Sequence, residues 1–174
     1  MLNYFHLLGL PIAFDLNPSQ LEKKYFELQR QYHPDRVAHK PAEERQVLLQ
    51  QSMSINEAYQ ALKSPLKRAQ HLLKLQGIAV NTEKDSIKPS QELLLENMEW
   101  REKLQEADDR CDIVSLEEKA EAQRHETLSS LSQAFAADKY DRAAQLALRL
   151  RYLEKFLEES HLIKQKKYEP AANS

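Results

Sequence analysis

The sequence predicts an all-α protein, and three observations support that class. The strong helix formers Ala, Glu, Lys, Leu, Arg and Gln dominate the 174 residues. Only 2 residues are Gly, and Val and Thr are also sparse. Apolar residues recur at three- and four-residue spacing along most of the chain. With 41% hydrophobic residues, the chain has enough material for one domain or two small ones.

The first predicted elements are a short apolar helical turn from Tyr4 to Leu10 and a longer helix after it. Asn17 is the expected N-cap of the longer helix, with Pro18 at its first position. One face of this helix is formed by Leu21, Tyr25, Leu28 and Tyr32. The helix must end near His33, because Pro34 disfavours helical geometry in the residue before it.

A polar loop is predicted after this helix, up to about Lys40. Pro41 then opens a second long helix with the same spacing, whose apolar face is Leu48, Ser52, Ile55, Tyr59 and Leu62. Ser64-Pro65 interrupts it. A shorter helix follows from Leu66 to Leu75, with Gly77 as its C-cap.

The second half of the chain predicts a separate helical unit. Residues 78–89 are polar and lack periodicity, which is typical of a linker. Three further helices, joined by short connections that favour an antiparallel arrangement, are expected at about 90–109, 113–136 and 139–167. The predicted bounds are therefore 1–76 for the first domain, 77–89 for the linker and 90–168 for the three-helix domain, with a frayed end from Glu169 to Ser174.

The motif most informative about function is His33-Pro34-Asp35, followed by Arg36. By itself the tripeptide is also compatible with an ordinary helix terminator. Its setting is more specific, because it lies between two amphipathic helices. An apolar Tyr-Phe-His-Leu-Leu-Gly-Leu turn precedes both helices, and Ile55-Asn56-Glu57-Ala58-Tyr59 lies on the second. Together these features resemble the J domain over about residues 1–75.

The residue types suit docking on a partner. Pro34 fixes the backbone, so little conformational freedom is lost on binding. Asp35 offers a carboxylate for bidentate pairing with an arginine, and His33 offers a donor and an acceptor in one ring. Positive charge that would steer an acidic partner surface comes from Lys23, Lys24 and Arg30. Lys23 and Lys24 are equally consistent with a solvated helix face. The J-domain resemblance implies that these residues and Arg36 dock on a DnaK-type chaperone and promote its ATP hydrolysis.

The C-terminal helices carry more apolar residues than one core face can hold. Consecutive helical residues are about 100° apart, so Leu93, Leu94 and Leu95 cannot share one stripe. With Leu93, Trp100, Leu104 and Ala107 as the core stripe, Leu94, Leu95 and Met98 lie outside it. In the last helix the core face is Ala143, Leu146, Leu150, Leu153 and Leu157. A second stripe there comprises Leu148, Tyr152 and Phe156. The surplus stripes predict a partner surface, unless Tyr152 and Phe156 cover another helix or the first domain.

A closer resemblance extends over nearly the whole chain. The segments Leu94–Glu102, Arg68–Leu73 and Leu150–Leu153 are similar to those of the HscB family, the J proteins of iron–sulfur cluster assembly. The resemblance implies binding of the scaffold protein IscU and its delivery to the DnaK-type chaperone HscA. The scaffold-binding residues it implies are Leu94, Leu95, Met98, Glu99, Glu102 and Tyr152. The absence of Cys-x-x-Cys pairs in the sequence favours the bacterial type.

Other classes of function are disfavoured. The net charge of −2 and the lack of mixed basic and aromatic runs argue against nucleic-acid binding. The six histidines are scattered, and no catalytic motif, metal-ligand spacing or cofactor motif is present, so we expect neither an enzyme nor a metal or cofactor. Cys111 alone excludes an intramolecular disulfide and disfavours direct ligation of a cluster, which usually takes four thiolates. No stretch is long and apolar enough for a membrane span and no leader is evident, which predicts a cytoplasmic protein, although a processed organellar chain would have the same features. The alternative to delivery of the iron–sulfur scaffold is that this J protein delivers a different client.

Overall fold

The computed structural model describes residues 1–80 and 87–168, and every regular element in these two ranges is a helix. The all-α prediction is therefore confirmed. The chain divides into two compact units, Met1–Gly77 and Ile78–Ser174. The predicted linker at 77–89 stays a prediction, since residues 81–86 lie outside the described residues. The predicted frayed end at 169–174 lies outside them too.

Eight helices are present in the described part of the chain. The N-terminal unit contains α1 (Tyr4–Leu7), α2 (Pro18–Gln31), α3 (Pro34–Val37), α4 (Ala42–Lys63) and α5 (Pro65–Leu75). The C-terminal unit contains α6 (Gln91–Glu106), α7 (Arg110–Ala136) and α8 (Tyr140–Tyr168).

The predicted start of α2 and end of α5 are both present. The Asn17 side chain accepts hydrogen bonds from the backbone N–H groups of Ser19 and Gln20, with Pro18 in the first turn. Gly77 follows α5 with φ of +77°, a left-handed conformation that favours glycine. Local sequence therefore sets both helix ends.

Helices α2 and α4 form an antiparallel hairpin that fixes the geometry of the N-terminal unit. The rings of Tyr25 and Tyr59 stack with centroids 4.0 Å apart, and the Tyr25 hydroxyl donates to Asn56. Later on α2, Gln29 accepts a hydrogen bond from the Ser52 hydroxyl, which lies earlier on α4. The apolar side chains buried around this hairpin include Phe5, Leu8, Leu21, Ile55, Ala58, Leu62 and Leu73.

The predicted polar loop up to Lys40 is wrong at residues 34–37, which form the short helix α3. Pro34 ends α2 but also occupies the first position of α3, where its fixed φ and missing N–H are favourable. The His33 side chain caps the new helix by accepting from the backbone N–H of Asp35. The same proline thus separates two helices instead of opening a loop.

The C-terminal unit is an up-down-up bundle in which α7 and α8 run antiparallel. Arg124 of α7 pairs with Glu154 of α8, while Glu117, earlier on α7, accepts from Ser160, later on α8. Helices α6 and α8 instead run parallel, because their contacts advance together along both helices. Those contacts are Ser90–Gln145, Glu96–Arg149 and Trp100–Phe156.

The predicted second apolar stripe on α8 is not a partner surface at Leu148 and Phe156, because both side chains are buried. Phe156 packs on Trp100 of α6 with ring centroids 4.9 Å apart. Because both α6 and α7 pack against α8, this helix needs apolar residues on two faces. The alternative, that this stripe covers another helix, is correct for Phe156.

Candidate functional site

The His-Pro-Asp tripeptide lies at the tip of the α2–α4 hairpin, where α2 ends and α3 begins. His33, Pro34, Asp35 and Arg36 are all exposed. The side chains of His33 and Asp35 are 59% and 91% accessible. The fold therefore presents the whole tripeptide to solvent on a short, capped element.

His33 has two distinct roles for its two ring nitrogens. Nδ1 accepts the Asp35 backbone N–H at 3.2 Å, and the His33 carbonyl accepts the Arg36 N–H at 2.9 Å. A ring nitrogen that accepts a hydrogen bond carries no proton, so this contact assigns the proton of the neutral ring to Nε2. The site thus combines one ring donor with the Asp35 carboxylate as acceptor.

The predicted basic residues of α2 do not form a single positive stripe. Lys23 and Arg30 are seven residues apart and share one helix face, whereas Lys24 is rotated by about 100° from Lys23. Exposed Glu27 lies between Lys23 and Arg30 on the same face. The Glu27 carboxylate makes this face of α2 less basic than its two cations alone indicate.

Sequence reasoning missed the role of His71 of α5 in supporting this unit. Its Nε2 accepts the Tyr4 backbone N–H at 3.1 Å, one of the N–H groups at the start of α1 that no helical carbonyl satisfies. The two rings stack at 4.3 Å, and the Tyr4 hydroxyl donates to Glu57 of α4. Burial, followed by the nearby Lys74 charge, lowers the pKa of His71. A neutral ring therefore holds α1 against α4 and α5.

In the C-terminal unit, α6 exposes the predicted apolar residues. Leu94, Leu95 and Met98 are 43%, 59% and 57% accessible, which is unusual for large aliphatic side chains. Trp100 and Leu93 on the inner face are buried. The outward face of α6 also presents two exposed carboxylates, Glu99 and Glu102.

Tyr152, the remaining predicted residue, is half-buried on α8. It lies between Arg149 and Phe156 in sequence, both of which contact α6. Glu159, seven residues later on the same face of α8, pairs with Arg101 at 3.8 Å. Tyr152 therefore borders the Arg101 flank of α6, and the other five residues lie along the outward face of that helix.

A groove between α6 and α8 lies on the other flank of α6, with a cavity volume of about 590 Å³. Its lining includes Leu93, Leu95, Glu96, Glu99, Arg142 and Arg149. Arg149 donates two hydrogen bonds to one Glu96 oxygen, at 2.7 and 3.1 Å. Sequence spacing gave no signal for this groove, because the pairing depends on how the two helices are rotated against each other.

Two family models match the chain, one in each unit. The DnaJ domain model matches residues 3–71, and the model described as the HSCB C-terminal oligomerisation domain matches residues 89–161. The exposed tripeptide on a helical hairpin, together with the first match, makes this a J-domain protein. A co-chaperone of Vibrio cholerae, named a homologue of HscB, is 37% identical over 91% of this chain and 94% of its own length. The chain belongs to the HscB family of co-chaperones.

Solved structures agree over both units. Chaperone HscB from Vibrio cholerae matches with a TM-score of 0.82 and 34% identity, over 95% of this chain and 99% of that one. The human co-chaperone protein HscB matches with a TM-score of 0.86 and 30% identity, over 94% of this chain and 83% of that one. The Jac1 co-chaperone from Saccharomyces cerevisiae matches with a TM-score of 0.78 and 26% identity, over 100% and 98% of the two chains. The family implies action with a DnaK-type chaperone in iron–sulfur cluster assembly.

Among the described residues, no helix is both long enough and apolar enough to cross a membrane.

Proposed function

We propose that this protein binds the iron–sulfur scaffold IscU through its C-terminal unit and delivers it to the chaperone HscA, whose ATPase it stimulates through the tripeptide. The protein then regulates a partner's catalysis and carries no catalytic residue of its own. The single observation that best supports the proposal is the exposure of Leu94, Leu95 and Met98 on a helix anchored from its other side by Trp100.

The chaperone-binding surface we propose consists of the tripeptide and the cations near it. Asp35 is 91% accessible and its carboxylate suits an arginine of the chaperone. The His33 ring presents Nε2 in a fixed orientation, because Nδ1 accepts the backbone N–H of Asp35. The cations assigned to this surface are Lys23, Lys24, Arg30 and Arg36. With Glu27 among them, we expect them to guide the approach of the partner more than to set the affinity.

The scaffold-binding surface we propose consists of Leu94, Leu95, Met98, Glu99, Glu102 and Tyr152. Burial of aliphatic surface contributes roughly 25 cal/mol per Å², so a few side chains of this size supply a few kcal/mol. Association costs offset part of that gain, which favours a weak, exchanging complex. Such a complex suits an adaptor that must release its cargo to the chaperone.

Steady-state ATPase measurements on the chaperone test the proposal. The full chain is added alone, the scaffold is added alone, and both are added together. We expect stimulation by the pair to exceed the sum of the two separate effects, because one molecule brings scaffold and J domain to the same chaperone. A strictly additive result contradicts the proposal. Synergy with an unrelated client but not with the scaffold supports the other candidate, a J protein that delivers a different client.

A further inference from the structure

The groove between α6 and α8 is adjacent to the surface assigned to the scaffold. We propose that this groove also binds the scaffold, through a segment that places an acidic side chain against Arg142. This inference rests on the proposed function and extends it, since Arg142 and the rest of the α8 side of the groove belong to no part of the surface described above.

The groove is an open cleft with a partly apolar lining. Leu93 and Leu146 contribute buried apolar surface to its lining. Its volume of about 590 Å³ lies within the range of about 300–1,000 Å³ that is typical of ligand pockets. Seven of the ten lining residues are polar or charged, so the groove suits a polypeptide segment that carries polar or charged side chains.

The charges of the groove are separated by helix. The α6 side carries Glu92 and Glu99, and the α8 side carries Arg142 and Arg149. Arg149 is already satisfied by Glu96, and a weaker contact of 3.4 Å links it to Gln123.

Arg142 differs from Arg149 because it is exposed and forms no hydrogen bond or ion pair within residues 1–80 and 87–168. Its guanidinium is thus available to a carboxylate, which it can bind in bidentate geometry. Glu92 and Glu99 on the opposite side would repel an acidic side chain, so the bound segment must place its acidic residue toward α8.

Continuity with the proposed scaffold surface identifies the occupant. Leu95 and Glu99 line the groove and also belong to that surface. A partner that covers the outward face of α6 therefore extends over Leu95 into the groove. A second copy of this chain is the other possible occupant, and its binding would appear as self-association.

Calorimetric titration of the scaffold into the full chain tests the inference with Arg142→Glu. We expect the variant to bind the scaffold at least about tenfold more weakly, because a charge-assisted pair is replaced by repulsion. Arg142→Ala should show a smaller loss. Arg142 lies in the first turn of α8, where a negative charge is favourable, so the variant should fold.

Lys166→Glu is the matched control, since it makes the same charge change on the same helix. Lys166 is exposed and lies fourteen residues after Tyr152 on α8, about 21 Å along the helix from it. The affinity of this control variant for the scaffold should equal that of the wild-type chain. Higher salt should reduce the difference between Arg142→Glu and wild type.

Three outcomes overturn the inference. Equal affinities of wild type and Arg142→Glu remove the groove from the scaffold site and leave the proposed function intact. Failure of the wild-type chain to bind the scaffold overturns both. Loss of self-association in Arg142→Glu during sedimentation, with scaffold affinity unchanged, assigns the groove to a second copy.

Discussion

His33 holds its own backbone with one ring nitrogen and presents the other to a partner. These separate roles of the two ring nitrogens require the short helix α3. The sequence did not predict α3, because a proline that ends one helix can also occupy the first position of the next. The tripeptide itself could be found from the sequence, since its residue types and its position between two helices are local features. Its capping hydrogen bond could not, because that bond depends on the side-chain rotamer of His33.

We predict that His33→Gln or Asp35→Asn reduces stimulation of the chaperone ATPase by at least about tenfold, the effect of about 1.4 kcal/mol of lost interaction. Helicity and melting should remain close to those of wild type, because both side chains are exposed and α3 is short. ATPase assays and circular dichroism measure the two effects. His39→Gln is the control, as the same change at an exposed histidine near the motif. Full stimulation by either of the first two variants would refute the assignment.

His71 predicts a dependence of stability on pH. Its pKa in the folded protein lies below the usual 6.5, because burial and Lys74 disfavour the charged ring. Below pH 6.5 the unfolded chain therefore binds a proton that the folded chain resists, and stability falls as the pH falls toward the folded pKa. Above pH 6.5 the contribution of His71 is fully present. The slope is at most about 1.4 kcal/mol per pH unit for one proton.

Replacement by His71→Gln isolates this contribution. The glutamine side chain stays neutral and can still accept the Tyr4 N–H. We therefore expect the variant to lose less stability than wild type between pH 7 and pH 5 in urea titrations followed by circular dichroism. NMR titration of the His71 ring in the wild-type chain should give a value below 6.5. Parallel stability profiles for the two proteins would show that this histidine contributes nothing to the acid sensitivity. The groups nearest to the ring that could complicate the profile are Tyr4, Glu57 and Lys74.

At the scale of the helices, periodicity predicted the positions of long elements and one apolar face of each. For α6 this was sufficient, because its buried residues Leu93 and Trp100 both lie on the predicted core stripe. For α8 it was not, because a helix in contact with two neighbours buries two faces, and Phe156 belongs to the second. Which neighbour covers a given face depends on tertiary packing that periodicity does not contain.

We predict that the double variant Leu94→Ala, Met98→Ala weakens scaffold binding by about tenfold or more, since both aliphatic side chains lose apolar area at the interface. The free protein should keep its stability, because both residues are already exposed. Calorimetry with the scaffold and thermal melting test the two parts. J-domain stimulation measured without scaffold should be unchanged.

The control for this pair is Leu162→Ala with Ile163→Ala. These residues are 46% and 37% accessible near the end of α8, so the control removes similar apolar area from the same unit. A comparable loss of affinity in the control would mean that the assigned surface has no special role.

For the whole molecule, the sequence predicted the order of every helix except α3 and the existence of two units. Helix ends were accurate where capping residues are local, as at Asn17 and Gly77. The groove beside α6 could not be predicted, because it exists only when α6 and α8 run parallel at a particular rotation. The residues that line it are ordinary charged and apolar residues of two helices, which periodicity treats separately.

The contact between Trp100 and Phe156 also provides a spectroscopic reporter. Trp100 is the single tryptophan of the chain, and it is buried between α6 and α8. The fluorescence of Trp100 therefore reports on the C-terminal unit, while circular dichroism measures the helical content of both units together. Unfolding curves that coincide for the two signals would indicate one cooperative transition, and curves that separate would show that the C-terminal unit melts independently of the J domain.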